Sequence, residues 1–380
     1  MSDASRVHFS GLNGLRFIAA SLIIIHHIEQ YKSWMNLPSL WDSAVIDAIG
    51  HQSVSLFFVL SGFLISYLLL VENQKFGTIN VKFFYLRRIL RIWPLYFLIV
   101  AICLALPYLI DTSIFVNIER PKMLHAVPML LLILPNAIRL LNGNFIGGNQ
   151  LWSIGVEEQF YILWPWLVRF FKNNLYLFLA GFIGIKLLVT VVLLALKTSY
   201  PEAKLLVSVF KFWQLLQIEQ MAIGAVGALF LFEKKQKFLD FIFSKPIQYT
   251  CILLMVALCV LNPKGVFVMY LEAVVYLVFI MNVSCNDTFM IKLENKLLSK
   301  LGNLSYSIYM YHTLAIAFCL YLMHTLHDSL GMYGFNALLY IGSYALTLTV
   351  SWFSYYYFET PFLKIKEHFM KIKSATSTNV

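Results

Sequence analysis

The sequence predicts an all-α, polytopic integral membrane protein, and three observations support that fold class. Of the 380 residues, 60% are hydrophobic and only 13% are charged, whereas soluble domains carry far more charge. The mean hydropathy is +0.74. Apolar windows of membrane-spanning length recur along the whole chain, and helices satisfy their backbone hydrogen bonds within the segment that crosses lipid.

Eleven apolar windows are candidates for membrane spans. They lie near residues 12–30, 52–71, 92–110, 123–140, 152–168, 175–196, 212–232, 247–261, 266–283, 303–325 and 335–357.

The placement of lysine and arginine favours ten crossings over eleven. If every window crosses, the lysines of 234–245 and of the C-terminal tail fall opposite the basic N-terminus, against the positive-inside rule. If 123–140 does not cross, twenty cations lie inside and eight outside. That window also contains Pro128 and Pro135, which suit a re-entrant segment. We therefore predict about ten transmembrane helices plus a re-entrant segment, with both termini cytoplasmic.

Composition excludes several other classes of protein. No linker, low-complexity tract or internal repeat divides the chain, so residues 1–380 are predicted to form one domain, and the first span to stay as an uncleaved anchor. The five cysteines lack CxxC or CxxH spacing, so no metal site is expected. The formal charge of +10 indicates basic cytoplasmic loops rather than a nucleic-acid partner.

Arg16 and His27 form the first polar constellation. Eleven residues of helix rise about 16 Å and turn to within about 20° of three full turns, so both side chains share one stripe at different depths. Ionisable residues at membrane depth usually face a cavity or the protein interior. A snorkelling arginine with a hydrogen-bonded core histidine explains the pair equally well.

Arg87, Arg88 and Arg91 form a second constellation before Trp93-Pro94. Arg91 shares a helix face with the other two. Guanidinium forks suit phosphate oxygens, so the cluster is a candidate site for a phosphate-bearing donor. Ordinary positive-inside topology is the alternative.

Two further stretches place polar residues inside apolar windows. Glu157, Glu158 and Gln159 lie about 9 Å into a span, where carboxylates are costly unless they pair or take part in proton transfer. Ser61-Gly62 permits close approach of a helix or a ligand, with simple helix packing the favoured alternative.

The window near 303–325 carries a polar stripe of Ser305, Tyr309 and His312. A core histidine whose hydrogen bonds are satisfied within the protein explains His312 equally well. Glu359, followed by Thr360-Pro361, is expected to stop the last helix.

Taken in order, these motifs resemble the acyltransferase-3 family of membrane O-acyltransferases, which acetylate bacterial surface glycans. The match covers a core of about residues 9–364 and leaves a short basic cytoplasmic tail at 365–380. It departs at Asn13 and Ser55, where family members often carry aspartate. The motifs are Arg16-x10-His27, FFVLSGFLI, LRRILRIWPLY, LWSIGVEEQFYILWP, LSYSIYMYH and YFETPF.

The resemblance implies an enzyme of the bacterial cytoplasmic membrane that takes acetyl-CoA, or another acyl-CoA, as donor. The acceptor would be an extracytoplasmic carbohydrate or glycolipid, with membrane lipids around the protein and no metal. Catalytic candidates are His27 as base, with Arg16, Glu157 and Glu158. Donor-binding candidates are Arg87, Arg88, Arg91 and Ser61, and acceptor-binding candidates are Trp152, Gln159, Tyr309 and His312.

Two mechanisms and two other functions remain open at this point. In direct transfer, His27 removes the proton of a sugar hydroxyl that attacks the thioester, and a glutamate orients the imidazole. In the rival mechanism an acyl-enzyme forms on Ser61 or His27. A transporter of a small anionic or acylated substrate, or a scaffolding protein, would use buried charge differently.

Overall fold

The computed structural model describes residues 6–109, 112–115, 123–139, 146–370 and 372–374. Over these residues the regular secondary structure is helical, apart from one two-residue parallel pairing of β1 (Arg6–Val7) with β2 (Lys373–Ser374). The all-α class is confirmed. Parts of the predicted segments lie outside the described residues: residue 110 of the third window, residue 140 of the fourth, and residues 371 and 375–380 of the tail. Two of the eight cations predicted to lie outside, Arg120 and Lys122, also lie there.

The helices follow one another with short connections. In chain order they are α1 (Leu12–Trp34), α2 (Ala44–Phe76), α3 (Val81–Leu109), α4 (Met123–Leu131), α5 (Pro135–Ile138), α6 (Leu151–Phe170), α7 (Leu175–Ser199), α8 (Lys204–Leu215), α9 (Ile218–Phe232), α10 (Gln236–Ile242), α11 (Lys245–Leu261), α12 (Val266–Cys285), α13 (Lys296–Asn303), α14 (Ser305–Met323), α15 (His327–Phe353) and α16 (Thr360–Glu367). Two short 3₁₀ turns cover Thr112–Ile114 and His324–Leu326, and a π-helix covers Ser354–Glu359.

Length and composition support a polytopic membrane protein. Among the described residues, seven helical stretches are long and apolar enough to cross a membrane, and the α10–α11 pair, bent by 57°, makes eight if it is one span. Helices α1 and α6 are 23 and 20 residues long but are not in this set. Both carry the polar residues singled out in the sequence. The count of ten stays a prediction.

The window 123–140 contains two short helices instead of one long one. Helix α4 has nine residues and α5 has four, and Ile133 between them has a φ of 57°. Nine helical residues rise about 13.5 Å, well short of the hydrocarbon thickness of about 30 Å. Neither helix is long enough to cross lipid alone, which agrees with the predicted re-entrant segment.

Helices α2 and α9 pack with their backbones in contact. A Cβ built on Gly62 would lie 1.9 Å from the carbonyl oxygen of Met221, and one on Gly224 would lie 2.1 Å from the carbonyl oxygen of Val59. The predicted close helix approach at Ser61-Gly62 is confirmed. Small residues permit this packing, which drives association where lipid offers no hydrophobic gain.

A buried ion pair lies at the break between α8 and α9. The Lys186 ammonium lies 3.6 Å from a Glu219 carboxylate oxygen and 4.0 Å from the centroid of the Trp213 ring. It also donates to the Trp213 carbonyl oxygen at 2.7 Å. Both charged residues are 4% exposed. The pair therefore joins α7, α8 and α9 in one polar contact.

The predicted helix stop at Glu359-Thr360-Pro361 is wrong. The chain continues from the π-helix directly into α16, which ends at Glu367. Pro361 lies in the first turn of α16, directly after the π-helix, and the neighbouring Thr360 hydroxyl donates to the Tyr355 carbonyl oxygen at 2.8 Å. The Glu359 carboxylate instead accepts hydrogen bonds from Ser307 at 2.6 Å and Ser354 at 3.2 Å.

Candidate active site

A cavity of about 160 Å³ lies between α1, α2, α3, α6 and α14. It collects six of the residues predicted for the site from the sequence, and four further polar residues beside them. The six are Arg16, Ser61, Arg88, Arg91, Glu157 and Tyr309, and the four are Ser153, Tyr161, Ser305 and Tyr306.

Three arginines meet in this cavity. The Arg88 guanidinium lies 5.4 Å from the Tyr161 ring, and the Arg91 guanidinium lies 5.5 Å from the Tyr306 ring. The charges that act on Arg16 include those of Arg88 and Arg91. Glu157 is the single carboxylate among the lining residues. A lining with three cations and one carboxylate suits a polyanionic ligand.

A hydrogen-bonded chain occupies one wall of the cavity. The Tyr161 hydroxyl donates to Glu157 Oε2 at 2.9 Å and is also hydrogen-bonded to the Ser61 hydroxyl. Because Tyr161 has a single proton, given to the carboxylate, Ser61 donates its own proton to the Tyr161 oxygen. The partner of Ser61 is thus a tyrosine and not a general base.

The two residues after Glu157 point away from the cavity. The Glu158 carboxylate accepts a hydrogen bond from Trp93 Nε1 at 2.9 Å. The Gln159 amide makes two hydrogen bonds with the Asn136 amide, at 3.0 and 3.2 Å, which attach α5 to α6. Successive helical residues differ in direction by about 100°, so these three side chains cannot share one site.

Arg87 also lies outside the cavity lining. Its guanidinium makes an ion pair with Glu72 at 3.1 Å and donates to the Phe369 carbonyl oxygen at 2.9 Å. Of the three arginines predicted to bind the donor, Arg88 and Arg91 face the cavity, whereas Arg87 fastens α3 to α2 and to the C-terminal segment.

His27 lies outside the cavity lining, close to two other histidines. Its ring centroid is 5.0 Å from those of His26 and His312. His27 Nδ1 lies 2.8 Å from Gln30 Oε1, and the Asn149 amide donates to the same oxygen at 3.4 Å. Since an amide oxygen only accepts, Nδ1 of His27 carries the proton and Nε2 keeps a free lone pair in the neutral ring.

The orienting partner of His27 is therefore Gln30 and not the glutamate expected from the sequence. Gln30 was not among the predicted site residues. Its spacing of three residues from His27 on one helix was the available signal, because residues at that spacing share a helix face.

The stripe on α14 connects His27 with the cavity. His312 Nδ1 donates to the Tyr309 carbonyl oxygen at 2.7 Å, and the rings of these two residues are 5.7 Å apart. The Tyr309 hydroxyl lies 2.6 Å from Ser153 Oγ, at the cavity wall. The predicted stripe is observed, with Ser305 and Tyr309 lining the cavity and His312 against His27.

Trp152 lies at the histidine end of the site, the part formed by His26, His27 and His312. The Arg139 guanidinium lies 4.5 Å from the Trp152 ring, and its charge acts on His27. Burial lowers the pKa of Arg139 to about 10, so it stays charged at neutral pH. Arg139 is one of the eight cations predicted to lie outside, and it was not among the predicted site residues. It directly follows α5, and nothing at that position in the sequence indicated its contact with Trp152.

Comparison with known proteins identifies the family of this chain. The acyltransferase-3 family model, described as an acyltransferase domain, matches residues 9–356. The chain belongs to the acyltransferase-3 family. The resemblance inferred from the six ordered motifs is thereby confirmed, and the cavity and the His27 cluster both lie inside the matched acyltransferase-3 domain.

Curated relatives of this acyltransferase-3 domain are named as O-acetyltransferases. A protein of Staphylococcus aureus strain COL, named as a putative O-acetyltransferase, is 25% identical over 94% of this chain and 58% of its own length. Peptidoglycan O-acetyltransferase OatA of Listeria monocytogenes is 29% identical over 48% of this chain and 28% of its own. O-acetyltransferase OatA of S. aureus strain NCTC 8325 is 27% identical over 44% and 26%.

The chain spans little more than half the length of the S. aureus COL relative. No solved structure matches it.

Proposed function

We propose that this protein is a membrane O-acyltransferase of the bacterial cytoplasmic membrane. It moves an acyl group, in the simplest case acetyl, from cytoplasmic acyl-CoA to a hydroxyl of an extracytoplasmic carbohydrate or glycolipid. One observation carries the proposal: two residues of α14 connect the arginine-lined cavity with His27. Tyr309 lines the cavity, and His312 lies between Tyr309 and the His27 ring, whose Nε2 has a free lone pair.

The end of the cavity lined by Arg88 and Arg91, the arginine end, is the proposed donor site. Arg88 and Arg91 lie in the first half of α3, close to its predicted cytoplasmic end. Guanidinium groups bind phosphate oxygens in pairs of parallel hydrogen bonds, and CoA carries a diphosphate and a 3′-phosphate. A phosphate group at the mouth would leave the pantetheine arm directed into the protein.

The histidine end is the proposed site of the reaction. Arg16 and His27 are separated by about 16 Å of helix, close to half the hydrocarbon thickness. The pantetheine arm is of suitable length for that distance. Donor and acceptor would then reach His27 from opposite faces of the membrane.

The chemistry proposed at His27 is direct transfer. Nε2 of His27 accepts the proton of the sugar hydroxyl while the hydroxyl oxygen forms a bond to the thioester carbonyl carbon. The carbon–sulfur bond then breaks, and the proton passes from His27 to the departing CoA thiolate. The hydrogen bond to Gln30 keeps the proton of the neutral His27 ring on Nδ1, which leaves Nε2 available. No residue of the protein becomes acylated in this scheme.

The acceptor class follows from the names of the relatives and from the position of His27. Two relatives are named OatA, one of them as a peptidoglycan O-acetyltransferase. Trp152 and Arg139 at the histidine end offer an aromatic face and a cation, both common in carbohydrate sites. A hydroxyl-bearing glycan of the cell envelope is the proposed acceptor.

Turnover of acetyl-CoA tests the proposal. We expect purified wild-type protein to release CoA, and His27→Ala to lose that release while its fold and its affinity for CoA are retained. His8→Ala, an exposed histidine outside the helices, is the matched control and should behave as wild type. Equal turnover in wild type and His27→Ala would remove His27 from the reaction. The assay supplies solubilised envelope glycan as acceptor. If wild type binds CoA but gives no turnover, the acceptor assignment is wrong, and if wild type does not bind CoA, the donor assignment is wrong.

A further inference from the structure

The C-terminal helix α16 packs against α3 beside the arginine end of the cavity. Arg87 on α3 donates to the Phe369 carbonyl oxygen at 2.9 Å, and the rings of Phe83 and Phe369 are 5.5 Å apart. On the other side of this segment, Lys373–Ser374 pairs with Arg6–Val7. The segment after the last predicted span is thus fastened at two points, of which the contact with α3 lies next to the proposed donor site.

Lys366 is the residue of α16 that comes under the charges of the α3 arginines. The charges that act on it are those of Arg87, Arg88 and Arg91 on α3, together with its neighbour Glu367. Its side chain is partly buried, whereas that of Lys364 is exposed. Residues two apart on a helix lie on opposite sides, so only one of these two lysines can face α3.

Three of these four cations have no carboxylate within ion-pair distance among the described residues. Arg87 is paired with Glu72. Arg88, Arg91 and Lys366 make no such pair in the described part of the chain, and Arg88 Nε is buried without a hydrogen-bond partner there. Like charges held together in a partly buried position repel one another unless an anion lies between them.

We infer that Lys366 is a further binding residue for the phosphates of the donor, and that α16 forms one side of the donor site. This inference rests on the proposed function and extends it, because the family motifs end before this residue. An ammonium on a flexible stem provides a point charge, which complements the fixed forks of Arg88 and Arg91. The anion that three unpaired cations would bind is a nucleotide-type polyphosphate rather than a single carboxylate.

The test compares ligands that differ in their phosphates. Binding of CoA and of pantetheine, which has no phosphate, is measured on the purified full chain for wild type, Lys366→Met, Lys366→Arg and Lys364→Met. We expect Lys366→Met to weaken CoA binding about tenfold, the loss of one charged hydrogen bond, without changing pantetheine binding. Lys366→Arg keeps the charge and should retain most of the affinity, and Lys364→Met should bind CoA as wild type.

Two results would overturn the inference, and a third would overturn the donor itself. Wild-type affinity of Lys366→Met for CoA, or an equal loss in Lys364→Met, would show that Lys366 has no specific part in binding. If wild type binds CoA no more tightly than pantetheine, then acyl-CoA is not the donor, and the proposed function fails before Lys366 is at issue.

Discussion

His27 Nδ1 lies 2.8 Å from Gln30 Oε1, one helical turn further along α1. This contact fixes which nitrogen of His27 carries the proton, and thereby presents Nε2 as the basic atom. In many hydrolytic and transfer enzymes a carboxylate holds the histidine in this way. Here a neutral amide does so, and an imidazolium formed in the proposed transfer would receive no counter-charge from its orienting partner.

Gln30 is expected to act on turnover through His27. Gln30→Leu removes the acceptor of the Nδ1 proton, so the ring is free to change tautomer, and we expect turnover to fall roughly 10- to 100-fold, a part of what general-base catalysis contributes. Gln30→Glu keeps an oxygen acceptor and should restore much of the activity. The measurement is CoA release at saturating acetyl-CoA, with CoA affinity measured in parallel. Equal rates in Gln30→Leu and wild type would contradict this role.

No acyl-enzyme is expected on Ser61. Its hydroxyl donates to Tyr161, and that contact supplies no base to activate it as a nucleophile. Purified protein incubated with radiolabelled acetyl-CoA in the absence of acceptor should carry no covalent label after denaturation. A label that persists in wild type and disappears in Ser61→Ala would show that transfer passes through this residue.

Gly62→Ala is expected to destabilise the α2–α9 packing. The added methyl group would overlap the carbonyl oxygen of Met221, a backbone atom that moves only if α9 moves. Overpacking of this kind costs about 1–3 kcal/mol. Gly181→Ala on α7, where a Cβ would meet nothing within 4 Å, is the control and should be neutral or slightly stabilising. Thermal unfolding in one detergent compares the two, and equal midpoints would refute the prediction.

The Lys186–Glu219 pair is expected to matter most when only one partner is lost. Lys186→Met leaves a buried carboxylate without its cation, and removing one member of a buried pair costs about 3–5 kcal/mol. Lys186→Met combined with Glu219→Met leaves no unpaired charge and should be more stable than either single variant. Unfolding midpoints of all four proteins form the cycle. Additive losses would show that the two charges do not depend on each other.

Much of the site could be predicted from the sequence, because its residue types are unusual where they occur. An arginine and a glutamate inside apolar windows are costly unless they face a cavity, and Arg16 and Glu157 do face one. Helical spacing also predicted the stripe of Ser305, Tyr309 and His312, because its members are close along one helix.

What could not be predicted depends on contacts between distant segments. Arg87 and Arg88 are adjacent, and the sequence cannot tell which one is paired with Glu72. Gln159 looks like its glutamate neighbours until Asn136 is seen beside it. The prediction of a helix stop at Pro361 is wrong because proline is as suitable in the first turn of a helix as after the last one.

The pairing of Arg6–Val7 with Lys373–Ser374 also limits how often the chain crosses the membrane. Two segments that share backbone hydrogen bonds lie on one side of the bilayer. A chain that returns to the side where it began has crossed an even number of times. Eight and ten crossings meet this condition, whereas seven and eleven do not, so parity alone argues against counting every apolar window as a span.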